Sequence, residues 1–140
     1  MMTPAPYYLV WPKKGLDKWQ YPWPFQLVKI SLRPASEYFG AAVPSGKNNH
    51  VKKGFVLFSQ YCIRCHSINL SGGKLGPELN VPKNITEYFE GEALSGFILK
   101  APSYLPGTKM PVFEGLINEG EMKNLLDYLK HMKSQKINAQ

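Results

Sequence analysis

The sequence predicts a mainly helical domain preceded by an extended, partly β N-terminal arm. Three observations predict it. Apolar residues recur at helical spacing in two long stretches after residue 48. Glycine- and proline-rich loops separate those stretches. Residues 1–47 hold proline and aromatic residues at a density that forbids a long helix. The expected division is an aromatic, proline-rich arm or linker at 1–47, a domain at 48–136 and a tail at 137–140.

In the arm, Tyr7, Tyr8, Trp11, Trp19, Tyr21, Trp23 and Phe25 interleave with Pro4, Pro6, Pro12, Pro22 and Pro24. Phe25 to Arg33 alternates as a strand does, with Val28, Ile30 and Leu32 on one face and Lys29, Ser31 and Arg33 on the other. Pro44-Ser45-Gly46 punctuates a linker. Residues 48–67 read as a helix that Asn48 or Asn49 caps, with Val51, Phe55, Phe58 and Cys62 at three- and four-residue steps. A loop with Gly72, Gly73, Gly76 and Pro77 follows. A short helix is expected near Asn84-Ile85-Thr86, and another from Glu92 to Lys100, stopped by Pro102. The last helix is the clearest. Asn118 and Glu121 have capping-box spacing, and Met122, Leu125, Leu126, Leu129 and Met132 form its apolar stripe.

The net charge is +7, with six basic against two acidic residues in 1–50 and eleven against eight in 51–140. No block of five basic residues occurs, so a nucleic-acid partner is not expected. A diffuse positive field favours encounter with a protein that carries an acidic docking surface. No apolar run reaches the roughly 18 residues of a membrane span. Two cysteines exclude a disulfide framework.

Those cysteines stand in Cys62-Ile63-Arg64-Cys65-His66. A Cys-x-x-Cys pair at a helix end sets two thiols about one turn apart, where they can add across the two vinyl groups of a haem as thioethers. The histidine directly after reaches the iron. Cys-x-x-Cys-His is the attachment signature of a c-type haem. A thioredoxin-like redox pair would need a surrounding βαβ pattern, and a structural zinc site would need four spaced ligands. The sequence offers neither. A second axial ligand must come from elsewhere. Met110, forty-four residues after His66 in the Pro/Gly-rich run Pro106 to Pro111, is the candidate, because Met122 and Met132 belong to the helix stripe. His50 and His131 are possible substitutes that read more simply as ordinary helix residues. Thioether ligation opposite histidine raises the haem potential and fills the sixth site, which suits outer-sphere electron transfer.

Residues 51–134 resemble a class I cytochrome c throughout. Gly54 and Phe58 match that family's Gly-x-x-x-Phe, and Gly76-Pro77-Glu78-Leu79 its Gly-Pro-x-Leu loop. Lys109-Met110-Pro111 matches the distal-ligand loop, and Leu125 to Lys130 the final helix. The resemblance implies three to five helices around one covalent haem c per chain, with Cys62 and Cys65 attaching it and His66 and Met110 ligating its iron. It implies that the Pro77 carbonyl accepts a hydrogen bond from the second nitrogen of His66, and that Phe58 and Leu79 press on the haem. Tyr128 or Leu129 is expected to cross closely over Gly54. Arg64 falls near a haem edge or the surface, with no role assigned. Asn69-Leu70-Ser71 and Asn84-Ile85-Thr86 fit a glycosylation pattern too common to carry weight.

The expected function is one-electron transfer between redox partners. Alternatives are the electron-accepting subunit or domain of a periplasmic oxidoreductase complex, and a haem sensor or enzyme with an open sixth site. The resemblance does not explain residues 1–47. They are expected to wrap around the domain, to dock a partner enzyme, or to end a larger upstream domain. Tyr7 to Pro12 and Tyr21 to Gln26 look similar to stretches ahead of cytochromes c associated with larger bacterial oxidoreductases. Covalent haem attachment implies a periplasmic location. The start of the chain lacks an export signal, so a mature or truncated form is expected.

Overall fold

The computed structural model describes residues 27–89 and 92–138. Among these, five α-helices occur: α1 (Ala35–Phe39), α2 (Asn49–Tyr61), α3 (Ala93–Leu99), α4 (Ala101–Tyr104) and α5 (Glu119–Lys133). Two 3-10 turns, Gly40–Ala42 and Ile85–Glu87, and a two-stranded antiparallel ribbon complete them. In the ribbon β1 (Ser67–Ile68) pairs with β2 (Ser71–Gly72), Ser67 opposite Gly72. The fold is mainly helical, as expected.

Helix α2 begins where the Asn48 side chain accepts the backbone N–H groups of His50 and Val51, at 2.9 and 3.4 Å. It buries Val51, Gly54, Leu57, Phe58 and Tyr61. The expected continuation to residue 67 does not occur. The N–H groups of Cys65 and His66 turn back onto the Cys62 carbonyl, at 3.0 and 2.9 Å, and redirect the chain into β1. Apolar spacing cannot distinguish a helix from a compact turn over so few residues.

Helix α5 has the reciprocal cap its sequence predicts. The Asn118 side chain accepts from the Glu121 N–H, and the Glu121 carboxylate accepts from the Asn118 N–H, both at 2.9 Å. Met122, Leu125, Tyr128, Leu129 and Met132 are buried, while Leu126 is half-buried. The two long helices cross at Gly54. A Cβ there would lie 2.0 Å from the Asn124 carbonyl oxygen and 2.7 Å from the Tyr128 Cβ. A glycine is therefore what lets the two backbones touch. Met122 and Met132 are core residues, 6% and 0% exposed, as expected. Pro102 ends α3 as predicted, yet it also stands in the first turn of α4, where its missing N–H removes no helical bond.

A buried polar ladder is the feature least expected. Asn84 donates to the Asn80 side-chain oxygen and Asn80 to that of Asn69, each at 2.7 Å. Their remaining N–H groups reach carbonyls at the end of α5. Asn84 donates to Leu129 at 2.9 Å, Asn80 to Met132 at 2.8 Å and Asn69 to Gln135 at 2.7 Å. The β1–β2 turn and the loop after β2 are thus tied to the C-terminal part of α5 and the residues just after it.

The expected strand is overturned over its described part. Residues 27–34 have no regular structure, and Val28, Ile30 and Leu32 are 88%, 70% and 97% exposed. Alternation specifies a strand only where a neighbour completes the ladder, and among the described residues none pairs with this segment. The chain then docks. The Ala42 carbonyl accepts from the Tyr128 hydroxyl at 2.7 Å, the Ala41 N–H donates to the Ser71 hydroxyl at 3.0 Å, and the Ser45 carbonyl meets His131 Nε2 at 3.0 Å. The aromatic residues Tyr7 to Phe25 lie outside the described residues.

Candidate functional site

The C-terminal end of α2, the turn after it and four further segments enclose a cavity of about 310 Å³. Phe58, Tyr61 and Cys62 come from α2 and its end, and Cys65 and His66 from the turn. Gly76, Pro77 and Leu79 come from the loop after β2, and Leu94, Phe97 and Ile98 from α3. Thr108 to Pro111, with Phe113, form one further wall, and Leu125 and Leu129 of α5 close the cavity. All eight residues singled out in the sequence (Phe58, Cys62, Cys65, His66, Gly76, Pro77, Leu79 and Met110) line this one space.

His66 is held on two sides. Its Nδ1 lies 2.9 Å from the Pro77 carbonyl oxygen. A carbonyl only accepts, so Nδ1 carries the proton and Nε2 keeps the lone pair that a metal needs. Gly76 packs against the ring so closely that a Cβ would lie 2.4 Å from Cε1. The Gly76 N–H in turn donates to the Cys65 carbonyl at 2.7 Å, which fixes this loop under the turn.

Neither cysteine forms a disulfide, and both are partly buried. Burial, reinforced by the neighbouring Cys65 sulfur, pushes the Cys62 thiol up to about 12. A redox dithiol of the thioredoxin kind depends on the opposite shift. Among the described residues no three His, Cys, Asp or Glu gather as a metal site, so nothing there supports the zinc reading. The alternative histidines point to other partners. His50 Nδ1 bonds the Asn124 side chain at 2.8 Å, His131 bonds Ser45, and neither lines the cavity.

Sequence reasoning left out Tyr61, Ile98, Phe113 and several aliphatic neighbours that line the space. Tyr61 and Ile98 lie in helices, where periodicity marks a buried face without saying whether it meets protein or ligand; Phe113 stands outside any helix and gave no such signal. Lys109 is the one Lys, Arg, Asp or Glu in the described lining, so the walls are apolar around their few donors. Two thiols, an imidazole with a free Nε2, a thioether and an apolar lining fit a haem in the chemistry of the donor set.

The Cytochrome c family model matches residues 51–133. The chain belongs to the cytochrome c family. It is 32% identical over 110 residues to cytochrome c of Theileria parva, covering 66% of this chain and 92% of that protein. Against cytochrome c of Sesamum indicum the identity is 33% over 98 residues, 57% of this chain and 87% of that protein. Cytochrome c of Kluyveromyces lactis is 28% identical over 103 residues, 59% and 91% of the two chains. As a member of the class I, mono-haem cytochromes c, the protein carries one haem c with its iron per chain. It transfers electrons through that haem in company with redox partners, as a carrier rather than an enzyme. No helix among the described residues is long and apolar enough to cross a membrane.

Proposed function

We propose that Cys62 and Cys65 hold the haem covalently and that His66 and Met110 ligate its iron, giving a one-electron carrier with both axial positions filled. The observation that carries this reading is the meeting of all four residues on one apolar cavity. When bound, the haem supplies an iron that cycles between Fe(III) and Fe(II). The chain's own part is positional. The Pro77 carbonyl orients His66, Gly76 leaves room for its ring, and Phe58, Leu79 and the helix faces exclude water. Replacing Met110 with alanine tests the sixth position. The Met110→Ala holoprotein should keep covalent haem, have a lower midpoint potential and bind carbon monoxide when reduced. A spectrum and potential equal to those of the native protein would move the ligand elsewhere. Ready binding of carbon monoxide by the native reduced protein would instead favour a sensor or enzyme.

A second reading, that this cytochrome is the electron-accepting subunit of a periplasmic oxidoreductase complex, draws support from one observation. Val28, Ile30 and Leu32 stand exposed ahead of the family-matched region, at the spacing of a half-buried strand. Isolation of a stoichiometric larger partner from the native source supports it; a lone diffusing cytochrome there counts against it. The +7 net charge favours a partner with an acidic docking surface, so its electron-transfer rate should fall as salt is raised. The proposed compartment is the periplasm, where covalent haem attachment in bacteria takes place. Haem-stained protein in the cytoplasmic fraction would contradict that location.

A further inference from the structure

Glu78 follows Pro77, and its carboxylate gathers two segments of chain. Oε1 accepts backbone N–H groups from Asn69 and Asn80 at 2.9 Å and from Val81 at 3.3 Å. Oε2 accepts from Leu70 at 2.9 Å. Asn69 and Leu70 both adopt left-handed backbone, with φ of 53° and 63°, so their successive N–H groups converge on the anion as a nest. Left-handed conformation is costly for two non-glycine residues in a row, and the carboxylate offsets that cost. Burial acts to raise the Glu78 carboxyl. Hydrogen bonds from the Ser67 side chain and the Leu70, Asn80 and Asn69 backbones outweigh it and hold the group below its ordinary range, charged.

The two segments so fastened are those on which the His66 contact depends. Residues 67–70 continue directly from His66, and residues 77–81 carry the carbonyl that takes its Nδ1 proton. Apart from Glu78, two bonds join them: the Leu79 N–H to the Ser67 carbonyl at 2.9 Å, and the Asn80 amide to the Asn69 side-chain oxygen at 2.7 Å. Gly76 contacts the ring edge but, lacking a side chain, cannot hold the loop in place.

We propose that Glu78 is a positioning residue for the axial histidine, holding the Pro77 carbonyl at His66 Nδ1 and so setting the orientation and basicity of the ring. The proposal rests on the reading that His66 ligates the iron. A ring whose N–H is firmly engaged is a stronger donor and favours Fe(III), so loosening it raises the midpoint potential.

Exchange of the His66 ring N–H, followed by NMR in the reduced holoprotein, tests this directly. Glu78→Ala should exchange about tenfold faster than the native protein, the factor that loss of roughly one hydrogen bond carries. Its midpoint potential should rise. Glu78→Gln, which keeps one accepting oxygen, should fall between the two and serves if the alanine variant fails to fold. Glu87→Gln removes a carboxylate without touching Pro77 and should leave ring exchange unchanged. Unchanged ring exchange in both Glu78 variants would overturn the proposal, even if the potential moved, because Glu78 would then act only through its charge. Failure of the ligand assignment looks different. His66 ring resonances in the native reduced protein would then lack the large upfield shift of an imidazole over a haem.

Discussion

The Tyr128 hydroxyl donates to the Ala42 carbonyl at 2.7 Å, tying the last helix to a stretch of chain that precedes the family-matched region. Both residues are fully buried, so neither group has water as an alternative. Tyr128→Phe keeps the ring packing against Phe58 but leaves the Ala42 carbonyl unpaired. The variant should lose about 1–3 kcal/mol of stability, the range for stranding one buried acceptor. Denaturant unfolding of the holoprotein reads this. A midpoint equal to that of the native protein would show that the segment before residue 47 is not held by this bond.

The close crossing of α2 and α5 makes a second prediction with an unusual sign. Glycine inside a helix is worth roughly 0.5–1 kcal/mol less than alanine, so propensity alone favours Gly54→Ala. The Asn124 carbonyl oxygen 2.0 Å from the added Cβ is backbone and cannot swing aside. Overpacking of this kind should dominate, with a net loss of about 3 kcal/mol. A thermally stabilised Gly54→Ala holoprotein would contradict the crossing geometry.

Much of this was legible in the sequence, for physical reasons that also explain what was not. The capping pairs and apolar stripes read correctly because they are local, set by residues three or four apart. Cys62, Cys65 and His66 are adjacent, so their chemistry shows in five letters. Met110 was singled out because the Pro/Gly-rich loop around it excluded a place in a helix stripe and because Lys109-Met110-Pro111 resembles the family's distal-ligand loop. The Asn69, Asn80 and Asn84 ladder was not seen, since burial of polar side chains depends on where distant carbonyls of α5 end up. Val28 to Leu32 failed in the opposite way. Their alternation is real, but a strand requires a neighbour that a single sequence segment cannot specify.

Glu87 gives the fold a defined acid sensitivity. The hydrogen bond from Lys136, at 2.7 Å, and that from the Asn84 N–H pull its carboxyl from 4.5 down to about 2. Desolvation opposes that shift, and the Lys133 and Lys136 charges assist it. A carboxyl whose folded value is depressed contributes stability that is complete above its unfolded value. That contribution fades as pH falls from 4.5 towards about 2. The native protein should therefore exceed Glu87→Gln in stability near neutrality, with the gap closing across that acid window. Glu78 titrates in both proteins and cancels from the difference. A gap that stays constant with pH would refute the assignment.

The most direct test of the whole account is a denaturing gel stained for haem, run on protein produced with a haem-attachment system beside a variant lacking both Cys62 and Cys65. Haem colour is expected on the native band after boiling in detergent, and none on the variant. A native band without colour, or a variant band that keeps it, would contradict covalent attachment through Cys62 and Cys65.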